Sequence, residues 1–191
     1  LMVMAVRNLY NGTSGTELMG KKLGIHAYGN VGRNVARIAK GFGMNIYAYD
    51  AYCPAEVMVN EGVTPVASAE ELYSTCDIVS LHIPATPETK GSINNALLSR
   101  MPQGAVLVNT ARKEVINEDE LIEILSERTD LKYATDIAAD KQEELNTLFG
   151  NRVFATPKKM GAQTAEANIN AGLAAASQIV DYLENGNERF R

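Results

Sequence analysis

The sequence predicts an α/β domain built on a doubly wound parallel sheet. Three observations carry this reading. Short apolar runs of strand type alternate with amphipathic helical patterns along the chain, as βαβ units do. Several of these runs, such as Ile78 to Leu81 and Val106 to Val108, are short and apolar in character, which suits strands covered on both faces. A glycine-bearing turn, Ala27-Tyr28-Gly29-Asn30-Val31-Gly32, stands between the first strand pattern and the first long helical pattern.

The first strand is the short apolar stretch Lys22 to Tyr28. After the turn, helical spacing runs through Val31, Val35, Ile38, Ala39 and Phe42, and Gly41 and Gly43 end it. Asn45 to Asp50 reads as the second strand. Ser68-Ala69-Glu70-Glu71 has the spacing of a capping box, so a helix starts there. Ile78 to Leu81 and Val106 to Val108 supply buried strands. Glu118 to Arg128 shows helical spacing through Leu121, Ile122 and Leu125, Lys132 to Ile137 and Val153 to Ala155 are further strands, and Thr164 to Leu183 is a long alanine-rich helix stopped at Asn185-Gly186. Right-handed crossovers then cover both sheet faces. Ahead of all this, Leu1, Val3, Met4, Val6, Leu9 and Tyr10 form an apolar surface at helical spacing with no cap in front, the pattern of a helix joined partway.

The bulk chemistry narrows the function. With 46% apolar residues in 191, the chain fills one well-packed core. A net charge of −5 provides no basic field for nucleic acid or an anionic membrane. The apolar runs are far shorter than a membrane span, and Leu1 to Tyr10 lacks the flanks of a secretory signal. Cys53 and Cys76 have no metal-ligand spacing, so no metal is expected, and two thiols in an acidic chain read as reduced and cytoplasmic.

The glycine turn has a physical reading of its own. In the Gly-x-Gly-x-x-Gly pattern the first glycine makes a tight turn, the second lets the backbone approach a pyrophosphate, and the third lets helix and strand pack. Gly29 and Gly32 hold the second and third positions, while Ala27 replaces the first. Alanine there is expected to require a negative φ. The backbone from Tyr28 through Asn30 and Val31 would face phosphates at the positive end of the helix. Asp50 ends the second strand about 20 residues on, where a carboxylate accepts hydrogen bonds from an adenosine ribose and repels a 2′-phosphate. NAD is therefore expected rather than NADP. The simpler role for Asp50 is to shape its own turn.

Four segments, taken in order, resemble the D-isomer-specific 2-hydroxyacid dehydrogenases: Leu23 to Gly32; Asp77 to Pro84 with Thr86-Pro87-Glu88-Thr89; Ala105 to Glu114, containing Asn-Thr-Ala-Arg; and Thr156-Pro157-Lys158-Lys159-Met160-Gly161-Ala162-Gln163-Thr164. The last form further resembles a lysine-bearing branch of the D-3-phosphoglycerate dehydrogenases. The resemblance implies a Rossmann-type cofactor domain. It places His82, Ile83, Pro84 and Thr89 against the cofactor, Thr110, Ala111 and Arg112 beside the nicotinamide, Asp136 on the carboxamide, and Gly161 in the loop that closes the site. It makes Arg112 the anchor of a small anionic substrate, a D-2-hydroxy acid, most simply 3-phosphoglycerate. It also implies a separate substrate-binding domain ahead of this chain and a homodimer. Residues 1–20 are then an interdomain helix and linker, and 21–191 the NAD-binding domain.

Two departures from the family bear on chemistry. The family's acid/base histidine lies in the Thr-Pro-His-x-Gly loop, and here lysines stand in its place; the chain's two histidines, His26 and His82, lie elsewhere. Aligning on Thr156-Pro157 puts Lys158 in the slot. Aligning on Gly161 to Thr164 puts Lys159 there, and this register is preferred. A lysine amine exchanges its proton near neutrality only when positive neighbours and loss of water favour it, and Arg112, Lys113 and the adjacent lysine are expected to supply that charge. The second departure is at the glutamate that orients the histidine: Lys141 falls near its slot, flanked by Asp140 and Glu143. Lys113 replaces the family glycine after Arg112. Loss of both acid/base partners keeps open a second reading, an NAD(H)-sensing module without turnover.

Overall fold

The computed structural model describes residues 1–9, 12–159, 161 and 163–188. Tyr10 of the expected first helix, and Met160 and Ala162 of the lysine segment, lie outside them. The chain forms two units, Leu1–Lys158 and Lys159–Arg191.

The first unit carries a seven-stranded sheet with every neighbouring pair parallel. Its strands are β1 (Lys22–His26), β2 (Asn45–Tyr49), β3 (Thr64–Pro65), β4 (Ile78–Leu81), β5 (Val106–Asn109), β6 (Lys132–Thr135) and β7 (Val153–Ala155). The order β3-β2-β1-β4-β5-β6-β7 reverses at β1. The helices are α1 (Met2–Val6), α2 (Asn30–Lys40), α3 (Ala55–Asn60), α4 (Ala69–Thr75), α5 (Asn95–Leu98), α6 (Glu118–Glu127) and α7 (Gln142–Phe149).

Two apolar cores flank the sheet, and alternate strand residues feed them. Leu107 joins one, with Leu72, Tyr73, Leu121, Ile124 and Leu125; Val106 and Val108 join the other, with Val6, Leu23, Ile25 and Ala36. Burying each large aliphatic side chain stabilises the fold by roughly 1.5–3 kcal/mol. This two-sided cover is why β4 and β5 are apolar apart from the buried Ser80 and Asn109.

The expected strands and helices appear with small shifts at their ends. At α4, Ser68 Oγ accepts from Glu71 N at 3.2 Å, and the Glu71 carboxylate accepts from Ala67 N at 2.8 Å, one residue before the position a capping box predicts. α6 begins after Asn117, whose side chain accepts from Glu120 N at 3.3 Å. The elements the sequence reading does not identify are β3, with two residues, α3, with six, α5, with four, and α7, with eight.

The second unit contains α8 (Ala165–Asn185). Thr164 caps its start by accepting from Ala167 N at 3.0 Å. Gly186, at φ +67°, closes its end, with Gly186 N donating to Tyr182 O at 2.9 Å. The stop signal Asn185-Gly186 therefore acts as the sequence predicts.

Candidate cofactor site

Reversal of strand order at β1 opens a crevice between the carboxyl ends of β2, β1 and β4, the place where doubly wound sheets bind ligands. A cleft of about 580 Å³ lies there. Ala27, Asp50, Ile83, Pro84, Thr89 and Tyr52 are among its walls. Of the residues the sequence singles out, Asp50, Ile83, Pro84 and Thr89 thus share one cavity. Tyr28, Gly29, Asn30, Val31 and Gly32 form the turn and the first residues of α2 directly after Ala27. Thr110, Ala111 and Arg112 follow β5, Asp136 follows β6, and Lys158 follows β7, all along the same edge of the sheet. Lys159 and Gly161 belong to the second unit. Both Lys158 and Lys159 are exposed.

The turn corrects one expectation. Ala27 has φ +79°, not the negative value required of it above. For an L-residue this costs about 1 kcal/mol or more, and hydrogen bonds on both sides hold it. Ala27 N donates to Tyr49 O at 2.9 Å, and Tyr28 N donates to Asp50 Oδ2 at 2.7 Å. The other two positions follow the pattern for different reasons. A Cβ on Gly32 would sit 2.4 Å from Ala27 O and 2.9 Å from Ile25 Cγ2, so packing demands glycine. A Cβ on Gly29 would meet no protein atom within 4 Å, and its φ of −79° is open to any residue. Nothing inside the protein requires glycine at 29; a group bound against the helix N-terminus would.

Asp50 shapes its own turn and keeps a carboxylate at the cleft wall. Its Oδ1 accepts from Tyr52 N at 2.8 Å and Cys53 N at 2.9 Å, which shapes the turn after β2. Its Oδ2 reaches across to Tyr28 N. A carboxylate has about four acceptor positions, so three are occupied while the group still faces the cleft.

The two histidines are placed differently from a proton-transfer site. His26 ends β1, buried, with Nδ1 3.2 Å from the Tyr73 hydroxyl. His82 follows β4, with Nε2 3.0 Å from Ser80 Oγ. Burial pushes both down to about 4, and for His26 the nearby Asp50 carboxylate opposes that fall. Both imidazoles are neutral at pH 7. Thr89 is committed to its own loop: it accepts from Thr86 N at 2.8 Å and donates to Pro84 O at 2.5 Å.

At the far end of the sheet, Asn109 is fully buried. Its Oδ1 accepts from Ala111 N at 3.0 Å and its Nδ2 donates to Arg112 O at 3.0 Å. The exposed Arg112 is therefore carried on a pinned loop. The sequence assigns Asn109 no role of its own; its signal is an amide at the end of an apolar strand. Asp136 Oδ1 is buried with no hydrogen-bond partner among the described residues. An orphaned carboxylate oxygen is costly, and a bound N–H donor such as a carboxamide would satisfy it. The open space at Gly29, the acceptor at Asp50 and the orphan at Asp136 together fit a dinucleotide laid along the strand ends.

Lys113 and Lys141 are each paired with a carboxylate, Lys113 Nζ with Asp140 and Lys141 Nζ with Asp119. Their carboxylate neighbours raise both above the usual lysine range. The added positive charge ascribed to Lys113 is thus matched by a carboxylate. Glu118 braces the same loop, accepting from Asp140 N at 2.9 Å and Lys141 N at 2.8 Å.

The family model described as "D-isomer specific 2-hydroxyacid dehydrogenase, NAD binding domain" matches residues 4–158. The chain belongs to this family. Among curated D-isomer specific 2-hydroxyacid dehydrogenase relatives, the D-3-phosphoglycerate dehydrogenase of Haemophilus influenzae is 37% identical over 180 residues, covering 91% of this chain and 43% of the relative. That of Methanocaldococcus jannaschii is 37% identical over 197 residues, covering 96% and 37%. The crystal structure of NAD+-bound 3-phosphoglycerate dehydrogenase from Entamoeba histolytica superposes with a TM-score of 0.87 at 45% identity, covering all of this chain and 60% of that one. D-lactate dehydrogenase from Escherichia coli gives 0.79 at 27% identity, covering 97% and 62%. The chain spans less than half the length of these curated relatives. It is an NAD-binding domain of the 2-hydroxyacid dehydrogenase type, on the doubly wound sheet its sequence predicts. Among the described residues no helix is long and apolar enough to cross a membrane.

Proposed function

We propose that this chain is the cofactor half of an NAD-dependent D-3-phosphoglycerate dehydrogenase, which oxidises 3-phosphoglycerate to 3-phosphohydroxypyruvate for serine biosynthesis. The observation that carries the reading is the row of strand-end groups, Asp50, Arg112 and Asp136, with Asp136 Oδ1 lacking a donor. Likeness to relatives bearing that name supports the substrate.

In this reading Asp50 accepts hydrogen bonds from the adenosine ribose through its remaining acceptor position. The backbone of Asn30 and Val31 takes the pyrophosphate at the start of α2, Gly29 leaving the room, while Tyr28 N stays held by Asp50. His82, Ile83, Pro84 and Thr89 form the wall opposite the turn. Asp136 accepts from the carboxamide, beside Thr110 and Ala111. When bound, NAD supplies the hydride acceptor. Arg112 grips the substrate carboxylate through two parallel hydrogen bonds and so fixes the reacting carbon. A lysine, Lys159 or Lys158, takes the hydroxyl proton, with Gly161 in the same segment. The substrate's far end is read by a separate substrate-binding domain.

We place the enzyme in the cytoplasm and read it as a homodimer. Two free thiols support the first. For the second, exposed Leu9, Met19 and Phe42 rim a groove with Val3 and Leu18, a surface suited to a second copy. The carboxylate pairing of Lys113 favours a second reading, an NAD(H)-sensing module without turnover, because it offsets one of the charges expected to ease proton loss from the lysine.

Calorimetry with NAD and NADP tests the cofactor site, first on this chain and then on Asp50→Ala. NAD is expected to bind at least tenfold tighter than NADP, a preference that Asp50→Ala erases. Equal affinity of the parent for both nucleotides would overturn the assignment. Assay of the full-length protein with 3-phosphoglycerate and NAD separates enzyme from sensor: absence of turnover leaves the sensor.

A further inference from the structure

The strained turn has a support that the cofactor reading does not use. Tyr28 is held at both ends. Its N–H is bound by Asp50, and its hydroxyl donates to Glu61 Oε2 at 2.9 Å. Glu61 lies just past α3, where its own N–H donates to Val57 O at 3.2 Å and Met58 O at 3.1 Å. Its carbonyl accepts from Lys40 Nζ at the end of α2, and its other carboxylate oxygen lies 3.1 Å from Arg33 of α2. The Arg33 guanidinium in turn sits 5.7 Å from the Tyr28 ring centroid. One side chain thereby joins α2, α3 and the turn.

We propose that Glu61 is a positioning residue for the dinucleotide site, holding Tyr28 so that Ala27 keeps its left-handed backbone and the Gly29 peptide faces the phosphates. This rests on reading the crevice as an NAD site. The reasoning is conformational. A glycine at 27 would adopt φ +79° freely, whereas alanine does so only where the surroundings over-determine it. The Arg33–Glu61 pair is more than one-third exposed on both sides, so its charge attraction is weak. The hydrogen bond to the phenol, on a side chain itself 3% exposed, supplies the geometric hold. Burial and the Glu61 carboxylate push the Tyr28 hydroxyl up to about 12, so it remains the donor.

The test couples Glu61 to Ala27 in the 191-residue chain. Four proteins are compared: parent, Glu61→Ala, Ala27→Gly and the double variant, with Tyr28→Phe as a second way of cutting the same bond. NAD affinity is read by calorimetry, and exchange of the amides of residues 28–32 by hydrogen exchange without ligand. Glu61→Ala and Tyr28→Phe are each expected to weaken NAD binding by about fivefold or more and to speed exchange in the turn; in the Ala27→Gly background either change should cost less than about twofold. Glu61→Gln, which keeps an oxygen acceptor, should retain most of the affinity. Equal losses in both backgrounds, or no loss in either, overturn the proposal. Should the parent fail to bind NAD, the functional reading falls instead, and the exchange data decide on the clamp by themselves: quicker exchange in Glu61→Ala, relieved by Ala27→Gly, upholds it, and unchanged exchange ends it.

Discussion

Asn109 holds Arg112 by its backbone rather than by its charge. The buried amide donates to Arg112 O and accepts from Ala111 N, both at 3.0 Å, while Arg112 NH1 turns back to Ala111 O at 2.8 Å. Asn109→Ala leaves two backbone groups without partners and should lower stability by about 1–3 kcal/mol, read from urea unfolding. On the proposed function, it should also raise KM for the hydroxy acid in the full-length protein, because the guanidinium loses its fixed platform.

The two glycines of the turn should separate folding from binding. Gly32→Ala drives a Cβ to 2.4 Å from Ala27 O and should cost about 2 kcal/mol or more. Gly29→Ala meets only open space, so the melting temperature should hold while NAD affinity collapses. Similar melting losses in both variants would contradict this division.

Acid should act through the histidines first. Their folded values lie near 4, below the ordinary 6.5, so the unfolded chain binds more protons between those limits. Their contribution is complete above pH 6.5 and is lost as pH falls toward 4, on the order of 3 kcal/mol for the buried His26. Asp130, held far below its usual range by Arg128, adds a separate loss at pH below about 3.8. Denaturant midpoints from pH 8 down to about pH 1.5 should show the two stages, and His82→Gln should flatten the upper one.

Alanine at Lys158 and at Lys159, made singly in the full-length protein, should give unequal results. One variant is expected to lose turnover by about a hundredfold or more, with NAD affinity unchanged. If both retain activity, the proton acceptor is elsewhere.

Much of the architecture was legible because it rests on period and punctuation. Short, mainly apolar runs gave β4 and β5, and Thr164 with Gly186 bracketed α8. Two-residue β3 and one-turn α5 carry too little pattern to register. Site residues with a backbone role could be read from spacing: Gly29, Gly32 and Asp50 depend on where strand meets helix. Ala27 could not, because its φ is imposed by Tyr49, Asp50 and Tyr28 rather than by its own preference. The same holds for Lys113, whose partner Asp140 is distant in sequence and adjacent only after β6 is paired with β5. The lysine segment was legible as chemistry, but its two registers differ by a single residue.

The main-chain ladder at the switch point runs one step past the strands, with His82 N donating to His26 O at 2.9 Å. The floor of the crevice is therefore stitched shut, and spreading β1 from β4 would break that bond beneath any incoming molecule. Admission has to take place over the rim instead, past side chains such as Tyr52, which is 95% exposed and able to swing without disturbing the sheet.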